Sequence, residues 1–250
     1  MDKKSDKFIV ETVLDSYKKN SSILPSHIAI IMDGNRRWAA KKKIPVFSGH
    51  KAGTKNIEAL IKFMKLLGIR YLTLFTFSTE NWERPKPEVN YITKTLLSES
   101  LAENFETLHS LGVRILIRGS IKRLDSLTRK KILEAVDKTS PNDEFFLVIA
   151  FDYGGRKEII EATKKIIKDN IDPNEIDEEL FNKYIDEQRI PDPDLVIRTG
   201  GEYRLSNFLI WQAAYSEFYI SKVLWPDFDV EDFTQALIEY SKRERRFGVD

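Results

Sequence analysis

Apolar residues along this chain fall into two kinds of run that take turns. Short β-rich runs at 28–32, 71–77, 114–118, 145–151, 195–198 and 218–220 predict strands. Longer runs with a 3.6-residue period lie between them. In 51–67, Ile57, Leu60, Ile61, Met64 and Leu67 share a helix face, and Gly68 stops the helix. Helices are also predicted at 88–110 (closed by Gly112), 127–138 (before the turn Pro141-Asn142-Asp143), 157–168, 177–184 and 230–239. Residues 1–24 read as a peripheral amphipathic helix with a frayed start, which leaves 25–250 as one domain. This alternation predicts an α/β fold: a single domain with a central, mostly parallel six-stranded sheet flanked by helices.

Polar residues cluster just past the apolar runs. The first five strands lead into Asp33-Gly34-Asn35, Ser78-Thr79-Glu80-Asn81-Trp82, Gly119-Ser120, Asp152-Tyr153-Gly154-Gly155-Arg156 and Arg198-Thr199-Gly200-Gly201-Glu202. In a parallel sheet all these carboxyl ends lie on one edge, where open α/β folds bind ligands. Five such loops would form one cleft.

The residue types in that cleft suggest phosphate chemistry. Asp33 can hold a hard cation, and Arg36 and Arg37 can grip anionic oxygens. The tripeptide Asp33-Gly34-Asn35 suits a tight turn with a helix N-cap just as well. The stretch Gly49-His50-Lys51-Ala52-Gly53 is expected to open a helix whose free amides favour a phosphate. Arg198, Arg204 and Ser206, spaced by a double glycine, form a second candidate anion site, with a surface ion-pair network as the alternative. Glu217, a carboxylate in apolar surroundings, is expected to complete a magnesium site with Asp33. Trp82 and the nearby phenylalanines suit either plain core or the wall of an apolar pocket.

Composition narrows the classes. Lys and Arg total 40 against 39 Asp and Glu, so a net charge of +1 argues against a generic nucleic-acid binder. There are no cysteines, which excludes thiolate chemistry. No apolar run approaches the ~20 residues that span a bilayer, and residues 1–7 lack a signal-peptide core, so a cytoplasmic protein is expected.

The stretches 27–38, 49–53, 77–84, 153–156 and 194–211, with the terminal Arg243-Glu244-Arg245-Arg246-Phe247-Gly248, closely resemble the cis-prenyltransferases. The resemblance implies a homodimer whose sheet and helices enclose a hydrophobic tunnel. It also implies Mg²⁺-dependent condensation of isopentenyl diphosphate with an allylic diphosphate, farnesyl or geranylgeranyl diphosphate, to a cis-polyprenyl diphosphate that serves as a glycan-carrier precursor. Peripheral membrane contact would accompany product release. Carried over by position, Asp33 is the catalytic, magnesium-linked carboxylate and Asn81 the proton acceptor. Gly34, Asn35, Arg36, Arg37, Trp38, His50, Ser78, Thr79, Glu80, Trp82 and Arg84 contact the allylic substrate. Arg198, Arg204, Leu205 and Ser206 hold isopentenyl diphosphate, and Glu217 is a second magnesium ligand. Two positions depart from the family pattern. Arg36 stands where long-chain bacterial members usually have Gly, and Val46 where an arginine is usual, so Arg36 or one of Lys41–Lys43 is expected to substitute. Phe146 and Phe151 are expected at the tunnel floor. A short-chain or irregular synthase, or a non-catalytic subunit of a heteromeric enzyme, is the alternative.

Overall fold

A computed structural model describes residues 3–186 and 188–244. Strands β1 (His27–Ile31), β2 (Tyr71–Ser78), β3 (Val113–Gly119), β4 (Phe145–Tyr153), β5 (Leu195–Arg198) and β6 (Glu217–Ile220) form one six-stranded sheet in the order β3-β4-β2-β1-β5-β6. Every pairing is parallel. The helices are α1 (Lys3–Lys19), α2 (Asn35–Lys41), α3 (Val46–Leu66), α4 (Lys86–Asn90), α5 (Leu97–Ser110), α6 (Ser126–Thr139), α7 (Gly155–Lys168), α8 (Glu178–Ile185) and α9 (Val230–Ser241).

The central strand β1 is buried along its whole length, and its side chains alternate between two cores. Ile28 and Ile30 join the larger core with Leu72, Leu74, Leu195 and Ile197. Ala29 and Ile31 face the smaller one with Val196, Phe208 and Leu209. Apolar residues on both faces are what an internal parallel strand requires. In β4 the alternation fails at its end. Asp152 adopts a left-handed backbone (φ 43°), so Tyr153 crosses to the smaller core and packs on Phe75 and Phe208.

Three expectations change. Helix 88–110 is three pieces, because a π-helical stretch, Tyr91–Leu96, separates α4 from α5. Helix α3 begins at Val46, not near Gly49, so the amides of 49–53 lie within the helix and are not free to bind phosphate. Gly49 and Gly53 are there for close packing instead. A Cβ on Gly49 would collide with the Asn35 carbonyl, and one on Gly53 with the Trp225 indole. The N-terminal segment is anchored more firmly than a peripheral helix would be. Val13 and Tyr17 enter the larger core, and the Tyr17 hydroxyl donates to the Leu237 carbonyl at 3.0 Å. The terminal residues Arg245 to Gly248 lie outside the described ones.

At the amino edge of the sheet His27 is fully enclosed, with Nδ1 2.6 Å from the Pro191 carbonyl and Nε2 2.8 Å from the Thr73 hydroxyl. Burial, against the opposing pull of that carbonyl, lowers its pKa to about 4. Between pH 6.5 and 4 the unfolded chain therefore binds a proton that the folded chain refuses, and stability falls as the pH falls. The expected slope is up to about 1.4 kcal/mol per pH unit. Urea titrations of His27→Gln across this window should lose one proton's worth of slope relative to the parent. Equal slopes would contradict the assignment.

Candidate active site

Chain connections leave β1 toward β2 on one side and β5 toward β6 on the other, so the sheet has a switch point between β1 and β5. A crevice opens at the carboxyl ends of strands at such a point. Asp33, two residues past β1, meets Arg198, the last residue of β5, there: Arg198 Nη2 donates to Asp33 Oδ2 at 2.8 Å. Arg37 on the first turns of α2 approaches the other carboxylate oxygen at 3.1 Å. The Asp33 carbonyl is held as well, accepting from the Thr199 hydroxyl at 2.7 Å and from the Trp225 amide at 3.1 Å. Burial raises the Asp33 pKa, but the Arg198 and Arg37 guanidiniums outweigh it and keep the carboxyl below its usual range. It is therefore ionised at neutral pH.

The second anion site is assembled from the same loop. Arg198 Nη1 donates to the Ser206 hydroxyl at 2.8 Å and to the Arg204 carbonyl. Arg37 donates to the Gly200 carbonyl at 2.7 Å. Gly200 has φ 84°, and a Cβ there would strike that same guanidinium, so only glycine satisfies both demands.

Across the mouth, Glu88 on α4 is buried, and its carboxylate gathers three cavity-lining groups. His50 Nε2 lies at 3.2 Å, Arg84 Nη1 at 3.3 Å and Arg36 Nε at 3.7 Å. Burial lowers the His50 pKa, only partly opposed by Glu88, so the imidazole is neutral at pH 7. The mouth thus carries several guanidiniums and a neutral histidine that serves as a hydrogen-bonding group.

Beneath it lies a cavity of about 930 Å³. Its upper rim includes Asp33, Gly34, Asn35, Arg36, Arg37, His50, Ser78, Glu80, Asn81, Arg84, Arg198, Arg204 and Ser206, thirteen of the seventeen expected substrate and catalytic positions other than Glu217. Its deeper wall is hydrocarbon from β2, β4, α3 and α5, including Leu74, Leu97, Leu147, Ile149 and Phe151.

The remaining expected residues stand elsewhere. Trp38 donates from Nε1 to Asp227 at 2.6 Å under Lys42, and Trp82 donates to Asp152 at 2.8 Å beneath Arg123. Neither indole lines the cavity, nor do Thr79 and Leu205. Leu205 packs on the smaller core. Phe146 points away from the floor and stacks on Tyr71, so Phe151 alone of that pair lines the cavity. Val46 contributes no cavity wall, and neither do Lys41, Lys42 and Lys43, whereas Arg36 does. Glu217 opens β6 opposite Leu195, at the amino edge, and its carboxylate pairs with Arg243 at 2.7 Å.

Two site residues escaped the sequence reading. Glu88 follows Arg84 by four residues and precedes Val89 and Ile92 at helical spacing, a pattern that places a carboxylate on a buried face. Asn207 is a polar residue that leads an apolar run, and it too lines the cavity.

Fold and site together are those of an α/β protein whose switch-point crevice is charged at its mouth and hydrocarbon below. Comparison with known proteins gives the family. The model described as "Putative undecaprenyl diphosphate synthase" matches residues 31–248. An isoprenyl transferase of Clostridium perfringens is 48% identical over 229 residues, 90% of each chain. The (2E,6E)-farnesyl-diphosphate-specific ditrans,polycis-undecaprenyl-diphosphate synthase of Micrococcus luteus is 47% identical, over 92% of this chain and 93% of that one. Lavandulyl diphosphate synthase from Lavandula x intermedia, solved with dimethylallyl diphosphate, superposes with a TM-score of 0.86 at 34% identity, over 90% of this chain and 98% of that one. The chain belongs to the undecaprenyl diphosphate synthase family, and it is a prenyltransferase of the cis type.

Glu88→Gln removes the group that opposes burial at His50. Its imidazole pKa, read by NMR titration, should fall further below 6.5, with the fold retained. An unchanged or raised value would contradict the contact.

Proposed function

We propose that this protein condenses isopentenyl diphosphate with an allylic diphosphate, farnesyl or geranylgeranyl diphosphate, to a cis-polyprenyl diphosphate, the precursor of a glycan-carrier lipid. The observation that carries the reading is the ionised Asp33, clamped by Arg198 and Arg37 at the mouth of a hydrocarbon-walled cavity. The guanidiniums of Arg36, Arg37 and Arg84 receive the allylic diphosphate, with Gly34, Asn35 and neutral His50 beside them. Arg198, Arg204 and Ser206 hold isopentenyl diphosphate.

In the reaction the allylic C1–O bond breaks to release diphosphate, the alkene of isopentenyl diphosphate supplies the electron pair for the new C–C bond, and a proton leaves. Fixing both substrates at one mouth removes much of the entropic barrier. Fixed guanidiniums stabilise charge as it develops on the departing diphosphate. Asn81 is assigned the released proton. Its carboxamide oxygen accepts the Ser78 amide at 3.1 Å and keeps a second lone pair. Each methylene that enters the cavity gains roughly 0.8 kcal/mol, which draws the growing chain inward along what we read as the product tunnel.

Mg²⁺ fits this donor set. The described residues hold no group of three or more His, Cys, Asp or Glu side chains placed for a metal, and magnesium is commonly held by one or two carboxylates with substrate phosphates completing its shell. Asp33 would hold it, and when bound it would neutralise diphosphate charge.

We further read a cytoplasmic homodimer that contacts membranes peripherally. No helix among the described residues is long and apolar enough to cross a membrane, and β6 is an edge strand with Phe218 partly exposed, a surface suited to a second copy. A second reading, an irregular synthase that makes branched product, is favoured by the lavandulyl diphosphate synthase likeness and by Val46.

Incubation of purified protein with radiolabelled isopentenyl diphosphate, farnesyl diphosphate and Mg²⁺ should give linear cis-polyprenyl products, resolved by chromatography. Branched product would select the second reading, and no product would reject both. Asp33→Ala should lower turnover roughly 10³-fold while circular dichroism stays unchanged. Parental turnover in that variant would refute the role of Asp33.

A further inference from the structure

The two halves of the mouth stand on opposite sides of β1: the loops after β2 and β4 on one side, the loop after β5 on the other. Asn207 is one of the residues that span the gap. Asn207 Nδ2 donates to Glu80 Oε1 at 2.9 Å, in the loop after β2. Its Oδ1 accepts the Arg156 amide at 2.9 Å, and its carbonyl accepts the Gly155 amide at 2.7 Å, both at the start of α7. Its own chain neighbour is Ser206, which accepts from Arg198.

The backbone around it is shaped for this contact. Ser206, Asn207 and Leu209 all have positive φ (51°, 67° and 42°) without being glycine, a conformation held only where the surroundings over-determine it. Asparagine is among the residues that best tolerate that region. The space is tight on the other side as well, since a Cβ on Gly154 would meet both the Asn207 carboxamide and the Thr79 hydroxyl.

We propose that Asn207 is a positioning residue that sets the separation of the two substrate half-sites. By strapping the Arg198–Ser206 loop to the Glu80–Asn81 loop, it fixes how far isopentenyl diphosphate lies from the allylic carbon. This rests on the functional reading above and adds to it a determinant outside the phosphate-binding groups. A displacement of about 1 Å between reacting groups can cost on the order of 10²-fold in rate.

Two variants separate alignment from folding. Asn207→Asp keeps the acceptor for the Arg156 amide but sets a carboxylate against Glu80, so it breaks the strap alone. Asn207→Ala removes both side-chain bonds. Both should lower kcat for condensation by roughly 10- to 100-fold with KM for the allylic diphosphate within about twofold of the parent, and Asn207→Asp should melt within a few degrees of it. Asn207→Asp at parental kcat would overturn the proposal, as would a loss confined to KM for the allylic diphosphate. If the unmodified chain itself made no product, the functional reading would fall and this inference with it. If only the variants failed to differ, the inference alone would fall.

Discussion

The contact between Asp33 and Arg198 is the constraint on which the rest of the site depends. Both residues stand at carboxyl ends of adjacent parallel strands, β1 and β5, whose register aligns Ile31 with Arg198. Because onward connections diverge there, nothing in the sheet covers the pair, and the crevice stays open to a ligand. An arginine as deeply buried as Arg198 needs a countercharge, and Asp33 supplies it. The same bond keeps Asp33 ionised and aimed at the mouth. The order of the strand ends and, in the proposed function, readiness for chemistry thus come from one ion pair.

Around it the charges are arranged so that none is idle before substrate arrives. Glu88 holds Arg36, Arg84 and His50 on one wall, and Gly200, Ser206 and the Arg204 carbonyl hold Arg37 and Arg198 on the other. Groups fixed in this way need little reorganisation when an anionic ligand arrives, which is how preorganised sites lower barriers. Below the rim the lining turns to hydrocarbon, so the cavity is charged at its mouth and apolar at its floor.

The sheet was legible because burial on both faces leaves a continuous apolar run, and all six strands fall within about two residues of their predicted bounds. What the pattern concealed were local exceptions with three-dimensional causes. The π-helical turn at 91–96 keeps helical periodicity, so it cannot be told from α-helix by spacing. The start of α3 was hidden because Pro45 and Val46 look like loop, and Gly49 and Gly53 imitate a glycine-rich helix opening when they answer to the Asn35 carbonyl and the Trp225 ring. Of the site, the strand-end residues were readable from their address. The Glu217–Arg243 contact was hidden because an acidic residue among apolar ones gives no hint of which end of its strand it occupies or of what it pairs with. Glu88 and Asn207 went unseen because their role is to hold other side chains, which no local motif announces.

A double-mutant cycle of Asp33→Asn and Arg198→Gln, measured on kcat/KM for isopentenyl diphosphate condensation, addresses the central claim most directly. If the pair acts as one unit, the two losses will be strongly non-additive, with a coupling of about 1–3 kcal/mol. Losses that add to within about 0.5 kcal/mol would show the two residues working independently and would contradict the account.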